Sequence, residues 1–232
     1  FRQDRKLWFR GFKKLIRLRY RRPRYIYLGE KPTTNSIVLA NHVGATGPLL
    51  LESYGEFPFR MWGTHEMNSG LRKLYNYQTK IYYHQKKGWN IHLARLFCLL
   101  ASPLTYLFYK GLRLISTYRD ARLKRTLKES ITVMKNGENI VIFPEMSEEG
   151  YFDELRGFYS GFALLAETFY KRGMDVLIYT SYYRRKDKVH IFDKPIRYSG
   201  LKKIATTREE MANYLLNKSN ALGKMELPAL PV

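Results

Sequence analysis

The stretch Ser36-Ile37-Val38-Leu39-Ala40-Asn41-His42-Val43-Gly44-Ala45-Thr46-Gly47-Pro48 decides how the rest of the chain is read. Its first five residues form a short, apolar, β-prone run without polar alternation, the pattern of a strand covered on both faces in a parallel sheet. Asn41-His42 then falls at the carboxyl end of that strand. Ligands of open α/β sheets bind in the crevice outside strand carboxyl ends, so this is where chemistry is expected. Gly47-Pro48 reads as a helix start, because Gly is tolerated at the N-cap and the fixed φ of Pro suits the first helical position.

Working outward, the turn Gly29-Glu30-Lys31-Pro32 precedes this strand. The first 24 residues carry eleven Lys and Arg against Asp4 alone. Trp8, Phe12, Leu15 and Ile16 recur there at helical spacing among the cations, and Pro23 ends the pattern. A helix lying in a lipid interface has this composition, and so does a basic helix packed on the domain. The signature is not that of a secretory signal. Downstream, the apolar stretch Leu96 to Tyr109 lies between Arg95 and Lys110 and contains Pro103; it is shorter than the ~20 residues of a spanning helix. It fits a buried core helix or a half-inserted one, with burial preferred.

The spacing of Ala121, Leu123, Leu127 and Ile131 predicts an amphipathic helix over Asp120 to Val133, stopped by Asn136-Gly137. Asn139-Ile140-Val141-Ile142-Phe143 predicts a second buried strand, which delivers Pro144-Glu145 to the same sheet edge. A helix over Gly161 to Tyr170, strands over Val176 to Tyr182 and Val189 to Phe192, and a closing helix over Thr207 to Leu222 complete the alternation. No internal repeat or linker is visible. The expectation is one α/β domain over residues 25–232, a mostly parallel central sheet flanked by helices, with residues 1–24 as a basic amphipathic surface helix.

At 232 residues the chain is long enough for one well-buried core. Its 41 Lys+Arg against 20 Asp+Glu, a formal charge of +21, call for an anionic partner. Nucleic acid is the weaker candidate. There is no helix-turn-helix cue, zinc-finger spacing or aromatic RNA-recognition signature, and the 19 Tyr and 13 Phe among the cations suit a membrane interface equally. A lone Cys98 excludes an intrachain disulfide, and no Cys/His cluster has metal-ligand spacing, so the plain reading is intracellular with no metal.

Several blocks, in order, resemble the glycerolipid and lysophospholipid acyltransferases that carry a His-x4-Asp motif. Ile37-Val38-Leu39-Ala40-Asn41-His42 is similar to their first block and Val141-Ile142-Phe143-Pro144-Glu145 to their Phe-Pro-Glu block. Gly161 with Ala163 and Leu165-Ala166, then Asp175-Val176-Leu177-Ile178, resemble their later helix and last core strand. The resemblance spans about Tyr25 to Leu222. It implies transfer of an acyl group from acyl-CoA or an acyl carrier protein to a lipid hydroxyl, with no other cofactor, at the cytoplasmic face of a membrane with an anionic surface. It implies His42 as general base, which an imidazole of ordinary pKa near 6.5 suits at neutral pH. Asn41 would shape the turn. His65, His84, His92 and His190 lack this context and read as structural.

The chain departs from that pattern at three places. The carboxylate position five residues after His42 holds Gly47, so the group that orients the imidazole is absent, and Glu66, beyond a strand over Phe59 to Trp62, is the first candidate replacement; Glu145 is the second. The positions where relatives carry phosphate-gripping arginines hold Thr117 and Glu148, with Arg119 two residues late. A glutamate repels phosphate where a guanidinium binds it, so a neutral or glycosylated lipid acceptor is favoured. Substrate contacts are expected from Glu145, Ser147, Arg119, Gly47 and Thr46. The rival reading is a non-catalytic lipid-binding relative.

Overall fold

Two strands carry the centre of the molecule: β2 (Ser36–Leu39) and β5 (Asn139–Ile142) run parallel, with Leu39 opposite Ile142, and every residue in both is buried. The computed structural model describes residues 6–118 and 120–227. Asn139 begins this pairing from the amino edge: its side chain accepts from the Ser36 amide at 2.9 Å and donates to the Thr33 and Pro58 carbonyls. Around the pair lie β3 (Phe59–Thr64) and β4 (Ile115–Thr117) on one side, and β6 (Leu177–Arg184), β7 (Val189–Phe192) and β1 (Arg24–Tyr27) on the other. The order across the sheet is β1-β7-β6-β2-β5-β3-β4, with β8 (Ile196–Arg197) also paired to β6. Pairings from β6 through β4 are parallel, as is β1 with β7, while β6 meets β7 and β8 antiparallel. The mixed α/β architecture with a mostly parallel sheet is the one expected.

Helices cover both faces. One core cluster gathers Ile37, Leu39, Ile140 and Ile142 with α5 (Leu123–Lys135), α6 (Gly161–Tyr170) and α8 (Arg208–Lys224). The other gathers Val38, Ala40, Val141, Phe59 and Met61 with Phe9 of α1 (Leu7–Arg19), Leu51 of α2 (Thr46–Tyr54) and Leu112 of α4 (Ile91–Leu112). Alternate residues of each central strand thus point to opposite covered faces, which is why these strands are apolar throughout. The short helix α7 (Tyr198–Ile204) joins β8 to α8, whose start carries a capping box between Thr207 and Glu210.

Between β3 and β4 the chain inserts a layer of which the sequence announced only the apolar run of α4: α3 (Leu71–Asn76), a π-helical segment (Tyr77–Lys86), then α4. The inner stripe of α4, formed by Ala94, Cys98 and Ser102, is buried, and Ser102 Oγ donates to Gln78 Oε1 at 2.8 Å. Its outer face is bare. Leu93, Leu96, Leu99, Leu100 and Leu104 are 56–75% exposed, so the preference for a buried core helix is corrected: the helix begins five residues earlier than the apolar run and buries one narrow stripe only. With 22 residues it is long and apolar enough to cross a bilayer.

The N-terminal helix α1 is docked against this layer. Phe9 is fully buried and packs so closely on Gly111 that a Cβ there would meet its ring at 2.0 Å. Lys13 reaches the buried carboxylate of Glu52 in α2 at 3.0 Å. The opposite side of α1 exposes Leu7, Trp8, Leu15 and Leu18, the last at 83%.

Candidate functional site

The turn after β2 builds the site. Asn41 is fully buried and continues the sheet with its side chain, accepting from the Tyr183 amide at 2.6 Å and donating to the Tyr183 carbonyl at 3.0 Å. These two bonds replace the backbone ladder where β2 leaves β6. The next residues turn sharply: Val43 and Gly44 both have left-handed φ, 45° and 65°. A β-branched residue seldom adopts that region, and holding it there costs on the order of 1–3 kcal/mol. Strain of this kind concentrates at functional turns.

The turn brings the Gly44 carbonyl onto Nδ1 of His42. A carbonyl only accepts, so Nδ1 carries the hydrogen and the Nε2 lone pair is left to act as a base. The half-buried ring leans on Phe143 at 4.9 Å and Tyr151 at 5.2 Å between centroids. Burial lowers its pKa from 6.5 to about 4; the Gly44 bond opposes this and the Lys86 charge adds to it. The imidazole is therefore neutral, and able to accept a proton, across the physiological range.

Glu145 lies at the end of the neighbouring strand and is also brought to His42, though not to its ring. Its Oε2 accepts from the His42 backbone amide at 3.0 Å. The carboxylate is 6% exposed; burial raises its pKa, against the pull of the His42 amide and of Lys86. Glu145 thus fixes the backbone from which the imidazole hangs. The candidate substrate residue Ser147 is buried two residues on, and its hydroxyl accepts from Lys86 Nζ at 2.9 Å.

Glu66 is placed elsewhere. It follows β3, which is separated from β2 by β5, so two strand spacings of ~4.8 Å stand between their ends. Its carboxylate accepts from Thr64 Oγ1 and pairs with His65 Nδ1 at 3.1 Å. It lines an open cleft of about 350 Å³ with His65, Lys73, Asn76, Tyr77 and Lys80. The orienting contact expected from Glu66 is supplied to His42 by Gly44 instead.

Gly47 has no room for the acid that the sequence resemblance expects at its position. It is the second residue of α2, which starts at Thr46, two residues earlier than Gly47-Pro48 suggested. Its amide donates to the His42 carbonyl at 3.1 Å, and a Cβ on it would sit 2.7 Å from both the Asn41 and His42 carbonyl oxygens. The close approach that leaves no room for a side chain is the same one that closes the turn. Thr46 is half-buried beside it, its amide on the Val43 carbonyl. Arg119 lies outside the described residues. Among the described residues, no group of three or more His, Cys, Asp and Glu is placed to hold a metal ion.

Two residues at the site were not singled out from the sequence: Lys86, at the end of the π-helical segment, and Tyr151, in the loop after β5. Lys86 Nζ lies 5.8 Å from the Tyr151 ring, and Lys87 lies 6.0 Å from it. Neither has a motif signature; the insertion carries Lys86 to the site, and the loop after β5 carries Tyr151 onto the His42 ring. His190, read as structural, is buried under Tyr25 and Phe192, with Nε2 on Ser181 Oγ at 3.2 Å.

No protein-family model matches the chain. No curated protein matches it either. Among solved structures it is similar in fold to the 1-acyl-sn-glycerophosphate (LPA) acyltransferase PlsC from Thermotoga maritima. The TM-score is 0.51 at 16% sequence identity, over 93% of this chain and 77% of that one.

Proposed function

We propose that the chain is a membrane-surface O-acyltransferase in which His42 is the general base. The observation that carries this reading is the Nδ1 contact with the Gly44 carbonyl, which leaves Nε2 as the basic nitrogen at the carboxyl edge of the sheet. The likeness in fold to a PlsC acyltransferase supports the reaction class. In the proposed step Nε2 takes the proton of an acceptor hydroxyl while its oxygen adds to the carbonyl carbon of an acyl thioester. Collapse re-forms the carbonyl and breaks the carbon–sulfur bond, and the leaving thiolate takes the proton back from the imidazolium.

The donor is acyl-CoA or an acyl carrier protein, whose acidic surface suits a chain of charge +21. With Thr117 and Glu148 at the positions where arginines grip phosphate in relatives, the acceptor is a neutral or glycosylated lipid. The exposed apolar sides of α1 and α4, set among Lys and Arg, support peripheral seating on an anionic bilayer. Gly47, with no room for an acid, is the observation that favours the second reading, a lipid-binding relative without catalysis.

Purified protein supplied with labelled acyl-CoA, or labelled acyl carrier protein, and total lipid extract should transfer label, and His42→Ala should lose transfer. Label moved equally well by His42→Ala removes His42 from the mechanism. Lipid binding without transfer by the unaltered chain establishes the second reading.

A further inference from the structure

The π-helical segment Tyr77–Lys86 is the one part of the site that the general plan of the sheet does not require. Such segments are rare and recur at functional positions, because their wider turn re-aims a side chain. Here the last turn is fastened by aromatic contacts: Tyr83 lies 4.8 Å from Trp89, just before α4, and 5.1 Å from Phe97 within it. Ten residues of unusual helix thus end in a side chain held against the catalytic turn. That side chain is Lys86, bonded to the buried hydroxyl of Ser147 at 2.9 Å and set over Tyr151, which itself packs on the His42 ring. Lys86 acts on both groups of the turn, lowering the pKa of His42 and of Glu145. A helix C-terminus is also where a cation is best tolerated.

We propose that Lys86 is a further catalytic residue: its ammonium stabilises the oxygen anion formed at the thioester carbonyl when the hydroxyl deprotonated by His42 adds to it. The proposal rests on the reading of His42 as base. As the carbon–oxygen bond forms, the carbonyl π pair moves onto oxygen. Charge appears there in a site walled by Phe143 and Tyr151, where a fixed cation is worth far more than in water. Collapse of that anion expels the thiolate. The role is filled by a side chain from the same insertion that carries the exposed apolar face of α4, so one inserted layer serves both the membrane and the chemistry.

The test compares the unaltered chain with Lys86→Gln, which keeps a donor for Ser147 and drops the charge, and Lys86→Arg, which keeps the charge. Palmitoyl-CoA is the donor, with monoacylglycerol and lysophosphatidic acid as separate acceptors. Lys86→Gln should lower kcat about 10²–10³-fold on every acceptor the unaltered chain uses, with KM nearly unchanged, and Lys86→Arg should recover most of the loss. The acidic limb of the Lys86→Gln pH profile should move to higher pH, because a positive neighbour of His42 has gone. Far-ultraviolet circular dichroism confirms that each variant is folded; if Lys86→Gln is not, Lys86→Met takes its place under the same criteria. A loss confined to lysophosphatidic acid and seen as a higher KM makes Lys86 a headgroup anchor and overturns the proposal, as does an unchanged kcat. If the base reading itself is wrong, His42→Ala shows it separately by transferring at the unaltered rate.

Discussion

The carbonyl of Gly44 meets Nδ1 of His42 within the same turn, two residues along the chain, and so sets the tautomer without help from any carboxylate. The arrangement depends on left-handed φ at Val43 and Gly44 and on the closure of Gly47 under the Asn41 and His42 carbonyls. No carboxylate is needed at Nδ1, because a main-chain oxygen already occupies that nitrogen.

Placing an acid at position 47 should therefore fail. In Gly47→Asp the new Cβ meets two carbonyl oxygens at 2.7 Å, both backbone, and the turn must open to admit it. The variant should lose about 1–3 kcal/mol of stability, typical of overpacking, and transfer should fall rather than rise. Urea midpoints and turnover check both; a faster or equally stable Gly47→Asp shows that the turn yields.

Asn41 should matter for stability more than for chemistry. Asn41→Ala leaves the Tyr183 amide and carbonyl without their partner in a buried setting, at about 1–3 kcal/mol for each group. A total loss of ~2–5 kcal/mol in denaturant unfolding is expected, with lower activity because His42 is displaced. A loss below ~0.5 kcal/mol would mean that another group or water satisfies Tyr183.

The elements with strong side-chain signatures were legible from sequence. Ser36–Leu39 and Asn139–Ile142 are apolar throughout because both sheet faces are covered, and they delivered Asn41, His42 and Glu145 to the edge where they stand. The orienting group was not legible, since a backbone carbonyl has no residue code and a search among carboxylates leads to Glu66. The π-helical segment was missed because Tyr77–Lys86 mixes aromatic and cationic residues without a 3.6-residue period. The bare face of α4 was misjudged because an apolar run reads alike whether it meets core or lipid.

Acid should destabilise the fold through its buried histidines. The pKa of His190 is lowered from 6.5 to about 3 by burial, and that of His42 to about 4, so below pH 6.5 the unfolded chain binds protons that the folded one does not. Stability then falls as pH drops from about 6.5 toward these values, by up to ~1.4 kcal/mol per pH unit for each histidine. His190→Phe, which keeps the stack with Tyr25 and Phe192, should flatten much of the slope between pH 6.5 and 4.5 in urea unfolding. An undiminished slope would assign it to other groups.

The apolar face of α4 should decide membrane capture. Leu96→Glu, Leu100→Glu and Leu104→Glu together place three acids on its exposed side without touching the stripe formed by Ala94, Cys98 and Ser102. Flotation with vesicles containing anionic lipid should drop at least about 100-fold, since charge repulsion of ~1 kcal/mol per residue alone amounts to ~3 kcal/mol. Removing residues 1–24 should weaken capture as well. Undiminished flotation of both variants would place the membrane contact on another surface.

The tautomer of His42 can be read directly by nitrogen-15 NMR of histidine-labelled protein, assigned by the loss of its signals in His42→Gln. The account predicts a protonated Nδ1 and an unprotonated Nε2 for this ring from pH 8 down to about 5, with no titration near the ordinary value of 6.5. A ring carrying its hydrogen on Nε2, or one that titrates near 6.5 like an exposed histidine, would contradict it.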